Sequence, residues 1–132
     1  MTPLAIENWH KAMKTRDASA LDTLLADDVV FQSPVVHTPQ KGKPITKLYL
    51  SAAMKVLGNG EFRYTGEWMG PTSGILEFET VIDGISVNGI DMIGWNDKGQ
   101  INSFKVMVRP LKAINKLHEM MGKLLMEMAP KA

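Results

Sequence analysis

Two short turns between β-rich segments constrain the second half of the chain more than any other feature. Asp83-Gly84 separates two runs of strand-forming residues, and Asn96 to Gly99 separates the second run from a third. Short loops of this composition join neighbouring antiparallel strands. Residues from roughly Ile75 to Arg109 are therefore predicted to form a three-stranded antiparallel meander.

Side-chain alternation along these strands places one carboxylate on an otherwise apolar face. The first turn sets Asp91 opposite Leu76 on the preceding strand, and the second loop sets it opposite Phe104 on the following strand. The other charged side chains of the meander fall on the opposite face. The apolar residues predicted to share the face of Asp91 are Leu76, Phe78, Val87, Ile93, Trp95, Phe104, Val106 and Val108.

A carboxylate with such neighbours is removed from water, which penalises its charged form. Its pKa is therefore predicted to be raised, and a raised pKa suits a general acid or a neutral hydrogen-bond donor. The alternative is a structural aspartate whose oxygens are satisfied by a buried hydroxyl, an indole or a water molecule.

The rest of the chain supplies helices before and after the sheet. Apolar residues at helical spacing predict helices over 3–14, over a short segment capped by Asp17, over 44–57 and over about 111–128, and strands over 29–33 and 61–69. This order indicates an α+β fold, in which the N-terminal helices cover the concave face of a long, curved antiparallel sheet. Such a shape encloses a pocket at one end.

Composition and charge exclude several classes of function. The 132 residues are predicted to form one domain, and a net charge of +1 gives no field that would favour nucleic acid or an anionic membrane. With no cysteine and three scattered histidines, no metal site is expected, and we expect no cofactor. The sequence contains neither a signal-peptide pattern nor an apolar run of ~20 residues, so a cytoplasmic location is expected.

Several fragments, taken in order, resemble a known superfamily. They are 17–31, Ser33-Pro34, Gly42-Lys43 and Ile90-Asp91, followed by Trp95, Gly99 and Ile101. The chain to Arg109 resembles the nuclear-transport-factor-like cones (cystatin-like α+β barrels), and residues 1–132 are read as one SnoaL-like domain. Ketosteroid isomerases, SnoaL-like polyketide cyclases, scytalone dehydratases and limonene epoxide hydrolases belong to this group. The C-terminal helix resembles an extra cap found in some members.

The resemblance to ketosteroid isomerases extends to only part of their active site. In ketosteroid isomerases a tyrosine on the first helix and a late-strand aspartate form an oxyanion hole, and an aspartate before a proline is the base. These positions fall on Trp9, Asp91 and Ser33, so only Asp91 matches. Isomerase activity is therefore not carried over as such, although Asp91 could serve as an acid or base in another reaction of this fold.

The candidate site follows from these considerations. Asp91 and Ser33 are the candidate catalytic residues, and Ser33 has the alternative interpretation of an ordinary strand end. The predicted ligand-binding residues are Trp9, Met13, Phe31, His37, Leu76, Phe78, Ile93, Trp95, Phe104 and Val106. His37 has the alternative interpretation of a surface residue, and His10 and His118 are expected to be solvated.

The predicted function is a cofactor-independent isomerase, cyclase, dehydratase or hydrolase acting on an apolar cyclic ligand. The alternative is a non-catalytic ligand-binding or dimeric interaction module.

The residues on the outer face of the meander indicate that a second copy of the chain binds there. Apolar residues are mixed there with charges: Ile75, Val81, Ile90, Met92, Ile101 and Met107 with Glu77, Glu79, Lys105 and Arg109. Such a face is too apolar to leave in water, so a homodimer through it is expected. Related cone proteins are often dimers through this face. The alternative is that the C-terminal helix folds back over it.

Overall fold

The structure is a computed structural model that describes residues 2–128. The elements are α1 (Leu4–Thr15), a 3-10 turn (Ala18–Ala20) leading into α2 (Leu21–Leu24), β1 (Leu25–Gln32), β2 (Gln40–Lys41), α3 (Lys43–Leu57), β3 (Arg63–Met69), β4 (Ser73–Ile82), β5 (Ile85–Trp95), β6 (Ile101–Arg109) and α4 (Leu111–Met128). The strands form one curved sheet in the order β2-β1-β6-β5-β4-β3. Every neighbouring pair is antiparallel except β1 with β6, which is parallel. The predicted α+β fold is confirmed.

Helix boundaries follow local sequence signals. The side chain of Asp17 accepts a hydrogen bond from the backbone N–H of Ser19, as expected of a cap. Pro44 lies in the first turn of α3, where its missing N–H has no helical partner to lose. Helix α3 ends at Gly58, and α4 spans the predicted range.

The first turn of the meander fixes the predicted register. Asp83 and Gly84 both adopt positive φ, 48° and 77°, as a two-residue hairpin turn requires. Asp91 consequently pairs with Leu76, as predicted. On the other side Asp91 pairs with Val106 rather than with Phe104. A difference of two residues does not by itself move a side chain to the other face, because the alternation has a period of two.

Two β-bulges move side chains to the opposite face. In β6 the pairing passes from Ser103 to Ile101, which makes Asn102 an extra residue and turns Ile101 into the core. The prediction that Ile101 lies on the outer face is therefore wrong. In β3, Thr65 is the extra residue, so Trp68 does not share the face of Tyr64 and is 57% exposed.

Helix α3 packs against β1 and β4, and α4 packs against α3, β5 and β6. Helix α1 contacts the inner face through Trp9, whose ring packs against that of Phe104 on β6. Ala113 and Leu117 anchor α4 in the core. The apolar periodicity of this helix also predicts that Leu111 is buried, which is wrong, because Leu111 is 71% exposed. Among the described helices, none has the length and apolar character needed to cross a lipid bilayer.

The outer face of the sheet is a mosaic of apolar and charged side chains, each at least partly exposed. Ile75 pairs with Met92, and Ile90 pairs with Met107 on the next strand. Met107 is 49% exposed.

Candidate functional site

A cavity of about 240 Å³ lies between the inner face of the sheet and helices α1, α3 and α4. Its walls are mainly apolar and aromatic, with Trp9 and Met13 from α1 and Leu117 and Met121 from α4. Asp91 contributes a carboxyl group from the middle of β5. This composition, apolar walls with few polar groups, is typical of a small-molecule pocket.

Most of the predicted site residues line this one cavity. They are Asp91, Ser33, Trp9, Met13, Phe31, Phe78, Phe104 and Val106. Whether they bind a ligand stays a prediction. The residues Val35, Tyr49, Ala53, Phe62, His118 and Gly122 also line it, although sequence reasoning did not select them.

Four predicted residues do not line the cavity. Leu76 and Ile93 are fully buried in the core, because side chains close this part of the inner face. Trp95 lies in a separate surface groove beside Leu4 and the loop that follows β5. His37 lies in a groove on the outside of the sheet with Lys105, because the chain turns outward after Pro34.

A chain of three side chains holds the carboxyl group of Asp91. The indole Nε1–H of Trp9 donates a hydrogen bond to the hydroxyl oxygen of Tyr64, at 2.8 Å. The Tyr64 hydroxyl in turn donates to Oδ2 of Asp91, also at 2.8 Å. The indole N–H can only donate, the hydroxyl both accepts and donates, and the carboxyl oxygen accepts. The two hydrogen bonds therefore point the same way, from α1 through β3 to β5.

Tyr64 is the functional candidate that sequence reasoning missed. The sequence places it on a strand face with Phe62 but does not connect that strand with Asp91. The connection depends on the register of β3 against β4, in which Tyr64 pairs with Phe78 beside the bulge at Thr65. Alternation alone cannot predict such a bulge, so the aromatic residue on β3 was the one available signal.

The ring of Phe78 completes the apolar surroundings of Asp91. Phe78 pairs with Gly89, two residues before Asp91 on the same face of β5. A Cβ atom at position 89 would come within 2.5 Å of the Phe78 ring, so this close approach requires glycine. The ring also forms part of the cavity wall.

Burial sets the proton affinity of Asp91. The residue is 6% exposed, and burial raises the pKa of its carboxyl group to about 7, although the hydrogen bond from Tyr64 acts in the opposite direction. Burial, and then the charge of Asp91, raise the pKa of Tyr64 well above its ordinary value. Tyr64 is therefore a neutral hydrogen-bond donor at neutral pH.

The second carboxyl oxygen of Asp91 is available to a ligand. None of the hydrogen bonds found among residues 2–128 involves Oδ1, and Asp91 lines the cavity. Ser33 is more constrained, because its Oγ accepts hydrogen bonds from the backbone N–H groups of Val35 at 3.0 Å and Val36 at 3.3 Å. This is the ordinary role of a serine that follows a strand, but its hydroxyl hydrogen remains able to donate.

Among residues 2–128, no three histidine, aspartate or glutamate side chains converge to hold a metal ion.

No protein-family model matches the sequence, and no curated protein does. Among solved structures, the chain is similar to a steroid delta-isomerase from Pseudomonas aeruginosa, with 34% identity and a TM-score of 0.88 over 96% of this chain and 95% of that one. The chain belongs to the nuclear-transport-factor-like, ketosteroid-isomerase-like superfamily. An uncharacterised protein with a cystatin-like fold from Silicibacter pomeroyi is 27% identical, with a TM-score of 0.86 over 94% of this chain and 86% of that one.

A more distant member illustrates the fold alone. An NTF2-like protein of unknown function from Mesorhizobium loti is 18% identical, with a TM-score of 0.69 over 80% of this chain and 88% of that one. The superfamily resemblance of the sequence is confirmed by the 34% identical steroid delta-isomerase. The three positions that resemble those of ketosteroid isomerases, Trp9, Ser33 and Asp91, line the same cavity, and Tyr64 bridges the first to the last.

Proposed function

We propose that this superfamily member is a cofactor-independent acid–base enzyme that acts on an apolar cyclic compound carrying a carbonyl or hydroxyl oxygen. One observation carries the proposal. Asp91 is a buried carboxyl group with one oxygen held by Tyr64 and the other unengaged at the wall of an apolar cavity.

The hydrogen bond from Tyr64 determines where a proton on Asp91 resides. Because Oδ2 accepts from Tyr64, the carboxyl proton belongs on Oδ1, the oxygen available to a ligand. With a pKa of about 7, a large fraction of Asp91 is protonated at neutral pH, which suits an acid catalyst. A hydrogen bond from Oδ1 to a ligand oxygen is strong in this apolar site.

Two reaction types follow from such a donor. A hydrogen bond from Asp91 to a carbonyl oxygen stabilises the enolate that forms when a solvent water molecule takes a proton from a neighbouring carbon. Return of this proton to the far carbon of the double bond completes the isomerisation. A hydroxyl that receives the proton of Asp91 leaves as water, and the resulting carboxylate then takes a proton from the adjacent carbon, which completes a dehydration. The similarity to a steroid delta-isomerase supports the first, so we propose double-bond isomerisation of a cyclic ketone.

The neighbouring side chains have supporting roles in this proposal. Trp9 fixes the hydroxyl of Tyr64, and Tyr64 fixes the orientation of Asp91. Ser33 and Tyr49 line the same cavity, and in this proposal their hydroxyl groups bind a second polar group of the ligand.

A steady-state assay tests the proposal with a β,γ-unsaturated four-ring ketone, 5-androstene-3,17-dione, by the ultraviolet absorbance of the conjugated product. We expect kcat/KM to fall as pH rises above about 7, because the donor form of Asp91 is lost. Asp91→Ala should lower kcat/KM by about 10² to 10³. Asp91→Asn should retain part of the rate without the pH dependence, because an amide donates at every pH.

Asp97→Asn is the matched control, because Asp97 is an exposed carboxyl in the loop after β5. It should leave both the rate and the pH profile unchanged. Equal activity of Asp91→Ala and the unmodified protein would refute the assigned role of Asp91.

One observation favours a second candidate, a non-catalytic binding protein. The position that resembles the base of ketosteroid isomerases holds Ser33, whose Oγ is occupied by two backbone N–H groups. In that case calorimetry would detect binding of the ketone without turnover, and Asp91→Ala would only weaken the affinity.

A further inference from the structure

Gly122 is a glycine for which the fold supplies no reason. It lies inside α4, where glycine is among the least favourable residues. Several other glycines of the chain have a structural cause, such as the positive φ of Gly84 or the close approach of Phe78 to Gly89. Gly122 has no left-handed φ, and a Cβ atom added to it would meet no atom of residues 2–128 within 4 Å.

The unfilled space beside Gly122 belongs to the cavity. Gly122 is half-buried and lines the cavity together with His118 and Leu125, which lie one turn before it and one turn after it. Helix α3 packs against α4 and contributes another small side chain, Ala53, to the same cavity. The small residues on the two helices therefore widen the part of the cavity formed by α3 and α4.

We propose that Gly122 is a specificity-determining residue, and that the end of the ligand remote from Asp91 lies against the bare backbone of α4 at this position. The inference deepens the proposed function, because it rests on the assignment of a cyclic ketone to the cavity. A flat, multi-ring compound that reaches from β5 to α4 fits this description. A compact compound bound near Asp91 would not contact Gly122.

The size of the cavity makes a single side-chain atom matter. Its volume of about 240 Å³ lies slightly below the ~300–1,000 Å³ that is usual for ligand pockets. A methyl group at position 122 would occupy space that the protein leaves open, and a long ligand could be accommodated only by displacing α4 or by shifting from Asp91.

Calorimetric titration with two ketones tests the inference. The four-ring probe is 4-androstene-3,17-dione, and the two-ring probe is trans-2-decalone. Gly122→Ala should weaken binding of the four-ring ketone by about tenfold or more, while binding of the two-ring ketone changes by less than about twofold. The melting temperature of the variant should rise by about 3 to 5 °C, which shows that the fold is intact.

Asn115→Ala is the matched control, because Asn115 is exposed on the same helix and lies outside the cavity. It also improves helix propensity, so it should raise the melting temperature and leave both affinities unchanged. An equal loss of affinity in Asn115→Ala would assign the effect to helix stiffness and overturn the inference. Unchanged binding of the four-ring ketone by Gly122→Ala would overturn it as well.

Two further outcomes separate this inference from the proposed catalysis. If the unmodified protein binds neither ketone, the assignment of a ring compound is wrong and the role of Gly122 is overturned with it. If the protein binds both ketones without turnover and Gly122→Ala discriminates between them, the specificity role stands and the catalytic proposal is refuted.

Discussion

The free energy of unfolding should depend on pH through Asp91 in a way that a neutral substitute removes. In the folded protein the pKa of Asp91 is about 7, whereas its ordinary value is 3.8. Between these values the folded protein holds a proton that the unfolded chain has lost, so stability falls as pH rises through this window. A tenfold change in proton affinity corresponds to about 1.4 kcal/mol, which makes the total loss about 4 kcal/mol.

Asp91→Asn isolates this contribution because the amide does not ionise and its oxygen can still accept the hydrogen bond from Tyr64. The variant and the unmodified protein should have similar stability at about pH 3, where the carboxyl group is largely protonated in both states. Above about pH 7 the variant should be the more stable by up to about 4 kcal/mol. Urea unfolding, followed by far-ultraviolet circular dichroism at a series of pH values, measures the difference.

Asp97→Asn serves as the control, because this exposed carboxyl group should leave the pH profile unaltered. Other titrating groups contribute equally to both proteins, so the difference between the two curves reports on position 91. Parallel curves from pH 4 to pH 8, or an Asp91→Asn variant that is less stable than the parent at about pH 8, would refute the reasoning.

Two further predictions concern Tyr64 and the outer face of the sheet. Tyr64→Phe should raise the pKa of Asp91 further, by about one to two, because a hydrogen bond to the charged carboxylate is lost; a carboxyl NMR titration with an unchanged or lower pKa would contradict this. We also propose that the outer face forms a homodimer, so Met107→Asp should give monomers or insoluble protein in light scattering. Met126→Asp, at an 81% exposed position on α4, should remain dimeric, and a monomeric unmodified protein at micromolar concentration would end the idea.

Much of the fold was predictable because its signals are local. The turn at Asp83-Gly84 contains a residue pair suited to positive φ, and it alone places Asp91 opposite Leu76. The faces of β4 and β5 follow from alternation, and α4 follows from its apolar periodicity.

The errors arose where structure depends on more than local pattern. An extra residue in a strand reverses the alternation without leaving a mark in the hydrophobic pattern, which is why the predicted face of Ile101 is wrong. Which inner-face residues reach the cavity depends on helix packing, so Leu76 and Ile93 could not be distinguished from Phe78. The contact of Tyr64 with Asp91 required the register between two strands joined by an irregular loop.

The energetics of Asp91 favour a catalytic role over a purely structural role for this residue. If Asp91 served only to accept the hydrogen bond from Tyr64, an asparagine would do so without ionising and without the loss of about 4 kcal/mol near neutral pH. The group that asparagine lacks is a proton that can be given up and regained near pH 7. The hydrogen bonds from Trp9 and Tyr64 add a preferred direction, since they leave Oδ1 as the protonated oxygen at the cavity wall. A binding protein needs neither a proton exchanged near pH 7 nor a fixed position for it. The enzyme would therefore be favoured over the binding module if Asp91→Asn is more stable than the unmodified protein, still binds the ketone and turns it over slowly.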